Sequence, residues 1–145
     1  MSLYSQRLEV LKKEIKEIKI KQKKKKFKPN QQIMIDFING VTTNAKFKIN
    51  GKNIILYKGD LNKGFVHILT SHYCSGCLGE LCARDILNID IVLQKGIKLN
   101  KIGISNNNLI VYRYLKGVDE YKLVLKHINN NTDFIVTYYS KKVGR

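Results

Sequence analysis

The stretch Tyr57-Lys-Gly-Asp-Leu-Asn-Lys-Gly-Phe-Val-His-Ile-Leu-Thr-Ser-His-Tyr-Cys74 decides how the rest of the chain is read. It closes an alternating run of β type, turns at Gly59-Asp60, and enters a short helix whose apolar side is Leu61, Phe65, Ile68 and Leu69. Asp60 is a residue type that caps helix N-termini. On the helical wheel His67 lies away from the apolar side, at the surface, and His72 falls nearer to it. His127 stands beside a turn and reads as a surface residue.

Upstream of this stretch, Asn50-Gly51 is a strong hairpin signal between two alternating runs, 45–50 and 53–58. Residues 30–40 read as a short helix with Ile33, Met34, Phe37 and Ile38 on one side and Gly40 as its stop. Residues 3–26 read as one longer helix with a narrow stripe of Leu3, Leu8, Leu11, Ile15, Ile18 and Ile20; it runs into a cationic stretch that Pro29 ends. Downstream, 80–88 reads as a helix, and 90–93 as its continuation or a short strand. Three strands follow, 109–114, 120–126 and 133–140, joined by turn signals at Gly117 and Asn129-Asn-Asn131. The expected fold is α+β: N-terminal helices followed by an antiparallel sheet built from a hairpin, helices and a C-terminal three-stranded meander. Residues 1–29 are expected to form a basic helical extension and residues 30–145 one domain.

The chain has 145 residues, enough for one real core, and a formal net charge of +16. Residues 1–28 carry eleven Lys/Arg against three Glu, so half the excess sits in the first fifth of the chain. Such a charge favours polyanionic partners; an AT-rich coding sequence, which also enriches Ile and Asn, would leave a similar excess. No window reaches the roughly 18–20 apolar residues of a membrane span, the N-terminus has no apolar signal region, and three cysteines make no disulfide framework. A cytoplasmic protein with RNA as partner, no membrane association and no cofactor is expected. Eleven scattered acids argue against a two-metal nuclease.

Strand periodicity puts Phe134, Val136 and Tyr138 on one face of 133–140, and Ile135, Thr137 and Tyr139 on the other. With Lys122 and Lys126 of the preceding strand, Thr137 and Tyr139 would line an open face offering cations to phosphates, a hydroxyl donor and an aromatic platform. Histidine serves both proton transfers of RNA cleavage near neutral pH. This makes His67 and His72 the candidate acid–base pair, Lys122 and Arg113 the phosphate neutralisers, Thr137 a donor to a phosphate oxygen, and Tyr139 a stacking or proton-donating group. Lys126, Lys23, Lys24, Lys25 and Lys26 would add RNA affinity without chemistry. Two rival readings stand beside this one: a non-catalytic nucleic-acid-binding module using the same cationic face, and a small zinc-stabilised interaction protein with His72, Cys74, Cys77 and Cys82 as ligands.

The segments 64–73, 85–88, 121–126 and 134–139 together resemble the nuclease superfamily of barnase, EndoU, colicin-type tRNases and RelE, the BECR fold, in its phage- and mobile-element-associated branches. The resemblance covers residues from about 47 to 140. It implies a metal-independent endoribonuclease acting as a toxin, effector or phage-associated enzyme, with tRNA among the candidate substrates and an immunity or antitoxin protein as a further partner. His67 matches the family's helical histidine best and His72 next; Thr137 and Tyr139 match its last-strand positions.

Overall fold

The computed structural model describes residues 2–22, 26–73, 80–99 and 108–142. In chain order the elements are α1 (Leu3–Gln22), α2 (Pro29–Ile38), β1 (Asn44–Ile49), β2 (Lys52–Tyr57), α3 (Phe65–Ser71), α4 (Ala83–Leu87), α5 (Ile89–Lys95), β3 (Ile97–Leu99), β4 (Leu109–Lys116), β5 (Asp119–Asn129) and β6 (Thr132–Lys142). The architecture is α+β, with helices first and one open sheet of order β1-β2-β6-β5-β4-β3.

The hairpin forms as the sequence dictates. Asn50 and Gly51 take φ of 52° and 82°, the two positive values a tight primed turn requires. The sheet is larger than a hairpin plus a three-stranded meander. Three residues after Gly96 add β3 against β4, a strand too short to show periodicity. The hairpin joins the meander through a parallel match of β2 to β6 at Asn53, Ile54 and Ile55 opposite Thr132, Asp133 and Phe134. No local signal marks a pairing between segments so far apart in sequence.

The face assignment on β6 needs correction. Ile135 lies opposite Leu125 and Thr137 opposite Val124, so Val136 is an extra residue. This bulge reverses the alternation: Ile135 and Tyr138 are both buried, on the same face as Tyr121, Leu123 and Leu125. Phe134, Thr137 and Tyr139 therefore share the opposite face with Lys122 and Lys126. The freed Val136 carbonyl accepts the Gly64 N–H at 2.8 Å, which fastens the start of α3 to β6 just beyond the point where β2 leaves it.

Asp60, expected to cap α3, caps the preceding loop instead. Its Oδ1 accepts the N–H groups of Asn62 and Lys63 at 2.8 and 3.2 Å, and α3 begins four residues later than the cap would place it. Gly64, at φ 85°, is the residue before α3; a Cβ there would lie 2.9 Å from the Tyr57 carbonyl oxygen. The helix expected over 80–88 is the shorter α4, and a separate helix, α5, follows it after Asn88. Residues 90–93 are helical.

Buried side chains of all five helices and of one sheet face form a single cluster. Helix α1 belongs to it: Leu11, Ile15 and Ile18 are buried there with Phe37, Phe65 and Leu81. The stripe is narrow, but the main contacts of α1 are with α3 and α4, and a narrow stripe covers them. The α1 helix is described to Gln22; residues 23–25 lie outside the described residues, and Lys26, the expected end of the helix, is not helical.

Candidate functional site

The face of the sheet away from the helices carries a cross-strand row made of Arg113, Lys122 and Tyr139, each opposite the next on β4, β5 and β6. Opposed side chains on one face are near neighbours. Thr137 lies two residues from Tyr139 on the same face, opposite Val124. Its hydroxyl oxygen is buried and has no hydrogen-bond partner among the described residues.

Because α3 starts against the β6 bulge, its later residues run alongside the end of β6 that holds this row. The His72 ring lies 5.4 Å from the Tyr139 ring, centroid to centroid, and 5.0 Å from the His67 ring. Both histidines are half-buried rather than spent in the core. His67 Nδ1 is 2.9 Å from the Leu61 carbonyl oxygen. A carbonyl only accepts, so Nδ1 carries the hydrogen and Nε2 is left with the lone pair. The loop that Asp60 organises thus fixes the histidine's tautomer. Burial, then the neighbouring His67, holds the His72 pKa below its ordinary 6.5.

Arg113 is engaged within the protein: its Nε donates to Glu120, a carboxylate buried between β4 and β6. The hydrogen bond from Arg113 is the main reason that the Glu120 carboxyl is held below the usual range, against the effect of burial. Lys141 approaches the other oxygen at 3.9 Å. Lys122 is the cation of the row with no ion pair among the described residues. Glu120 was missed at the level of sequence; its position two residues before Lys122, hence on the same face as Arg113, is the signal that would have found it.

Helix α3 is held in place from behind. The Arg7 guanidinium donates to the carbonyls of Leu69 and Thr70 at 2.8 and 2.7 Å, which satisfies carbonyls left open at a helix C-terminus. Tyr4 packs edge-on against Phe65.

His127 is not a free surface residue. Its Nδ1 lies 2.9 Å from Asp133 Oδ1, and Lys52 Nζ lies 2.9 Å from Oδ2 of the same buried carboxylate. This cluster sits at the junction of β2, β5 and β6, apart from the histidine pair. Lys126 is exposed on the open face, and Lys26 is exposed beyond the end of α1. Lys23, Lys24 and Lys25 lie outside the described residues, as do Cys74 and Cys77 of the zinc alternative. Cys82 is exposed.

Among the described residues no helix is long and apolar enough to cross a membrane. No protein-family model matches the chain, and no curated protein matches it.

Proposed function

We propose that the protein is a metal-independent endoribonuclease that works by histidine acid–base catalysis. The observation that carries the reading is the His67–His72–Tyr139 ring cluster at the end of a row continued by Lys122. His72, kept neutral by burial and by its neighbour, suits the base that takes the proton from a ribose 2′-hydroxyl. The 2′-oxygen attacks the adjacent phosphorus, and the bond from phosphorus to the 5′-oxygen breaks. His67, protonated on Nε2, gives its proton to that leaving oxygen. The products are a 2′,3′-cyclic phosphate and a free 5′-hydroxyl. Lys122 neutralises a non-bridging oxygen and Tyr139 stacks on a base; the Thr137 hydroxyl, which is buried, donates to another oxygen only if its side chain turns outward. Arg113 reaches a phosphate only if it exchanges Glu120 for it, so its contribution is electrostatic and secondary.

An RNase made in a cell's own cytoplasm calls for a cognate inhibitor, which is why an immunity or antitoxin protein belongs to the proposal. The test is cleavage of end-labelled single-stranded RNA by the purified full chain in EDTA. The expected result is cyclic-phosphate products, with His67→Ala slower by about 10²–10⁴-fold. RNA left intact by the wild-type protein, with binding retained, would show a binding module in its place.

A further inference from the structure

Tyr57 and Phe134 form an aromatic pair that the core does not use. Tyr57 ends β2 and is 42% exposed. Phe134 lies on β6, on the open face, and neither ring belongs to the buried cluster. Their centroids are 5.0 Å apart at an interplanar angle of 77°, an edge-to-face contact that occupies the edge of one ring and one face of the other and leaves the remaining faces uncovered by this pairing. Two lysines flank the pair. Lys46, Ile55, Phe134 and Lys126 stand opposite one another in a row across β1, β2, β6 and β5. Lys46 and Lys126 are exposed and have no ion pair among the described residues.

We propose that Tyr57 and Phe134 form a second base-stacking subsite, flanked by Lys46 and Lys126, which restricts the protein's ligand to single-stranded RNA laid across the open face of the sheet. The proposal rests on the RNA reading above and adds the strandedness of the ligand and its second point of contact. Aromatic platforms take any unpaired base by its π-face, and cations beside them hold the backbone. Bases in an A-form duplex are closed in their stack and offer no face to such a platform. Four residues of β5 separate Lys122 of the histidine row from Lys126 of this one, about 13 Å at the usual strand rise. A strand reaching both rows spans more than one nucleotide, so a phosphate at the histidines and a base on Tyr57 belong to different nucleotides.

Binding is measured by fluorescence anisotropy with the full chain and a 2′-O-methyl RNA of about a dozen nucleotides, across a salt series. The methylated 2′-oxygen cannot attack phosphorus, so binding is read without cleavage. Stacking of one base predicts that Tyr57→Ala weakens binding by about 5- to 100-fold with the salt slope unchanged, and that Tyr57→Phe retains affinity. Lys126→Gln is expected to flatten the slope of log affinity against log salt by about 0.7. The same RNA annealed to its complement is expected to bind with no dependence on Tyr57. Melting curves identify a variant that has lost its fold, and Phe134→Leu provides an independent probe of the pair. Unchanged affinity in both Tyr57→Ala and Phe134→Leu, or an equal loss on duplex, overturns the subsite. So does a Tyr57→Ala defect confined to binding of anionic lipid vesicles. Tyr57-dependent binding without any cleavage in the EDTA assay overturns the nuclease reading and supports the subsite; cleavage with no Tyr57 dependence does the reverse.

Discussion

His72 sits against His67 and Tyr139 with its ring partly withdrawn from water, and that position has a cost that depends on pH. Its folded pKa lies below 6.5, the value expected of an unfolded chain. Between those two values the unfolded chain binds more protons than the folded protein. The stability this neutral imidazole contributes is therefore present above the unfolded value and is lost as pH falls through the folded one. The melting temperature is expected to drop between about pH 7.5 and about pH 5.5, and His72→Gln to flatten that dependence. Equal slopes in the two proteins would mean that His72 is hydrated and titrates normally. In the proposed reaction the acid limb of the rate is expected to follow the same group, since a protonated His72 takes no proton from a 2′-hydroxyl. The placement of His67 outside the core was legible from the sequence because helical spacing alone sets it off the apolar side. The tautomer was not, because it depends on the Leu61 carbonyl, in a loop whose path only Asp60 and Gly64 together determine.

Helix α1 acts on the site through α3. Leu11 is fully buried, so Leu11→Ala is expected to cost about 2–5 kcal/mol, read by urea denaturation. Arg7→Ala should cost less, about 1–2 kcal/mol, because it removes a charged donor from two carbonyls that water can partly serve. In the proposed reaction Arg7→Ala is expected to slow cleavage more than a surface lysine variant such as Lys19→Ala, since Arg7 holds the end of α3, which carries His67 and is capped by His72. The cationic character of residues 1–28 is the conspicuous feature of that segment in the sequence, while the apolar stripe of α1 packs into the core. Charge is visible residue by residue, but a stripe's worth depends on what it meets, and α3 and α4 lie far along the chain. The β6 bulge was illegible for a similar reason. Val136 is an ordinary strand residue, with no Gly or Pro to mark it, and what makes it the extra one is the Gly64 N–H that claims its carbonyl. The hairpin at Asn50-Gly51 was legible in full, because a primed turn is a local demand that two residues meet by themselves.

Across the whole molecule, β6 is the last strand in sequence order yet lies in the interior of the sheet, between β2 and β5. On one side of it stands the β1–β2 hairpin; on the other, β5, β4 and β3. The parallel match to β2 is short, and Asp133 reinforces it by binding Lys52 from β2 and His127 from β5. Asp133→Ala is expected to cost about 1–3 kcal/mol, measured by denaturation, because Lys52 and His127 are both partly exposed and recover water when the carboxylate is gone. A loss too small to resolve would show that backbone pairing alone holds the two halves of the sheet.

The position of β6 has a consequence in time. A ribosome releases His67 and His72 well before Thr137 and Tyr139. Until β6 emerges, the hairpin has no strand to pair with on its inner side, and the Gly64 N–H that anchors α3 has no Val136 carbonyl to meet. A nascent chain thus carries its histidines on a helix not yet fastened opposite its aromatic and hydroxyl partners. Under the proposed RNA cleavage, a chain built in this order is expected to stay inactive until β6 threads into the gap, and a truncation ahead of residue 132 is expected to leave a protein that does not cleave RNA.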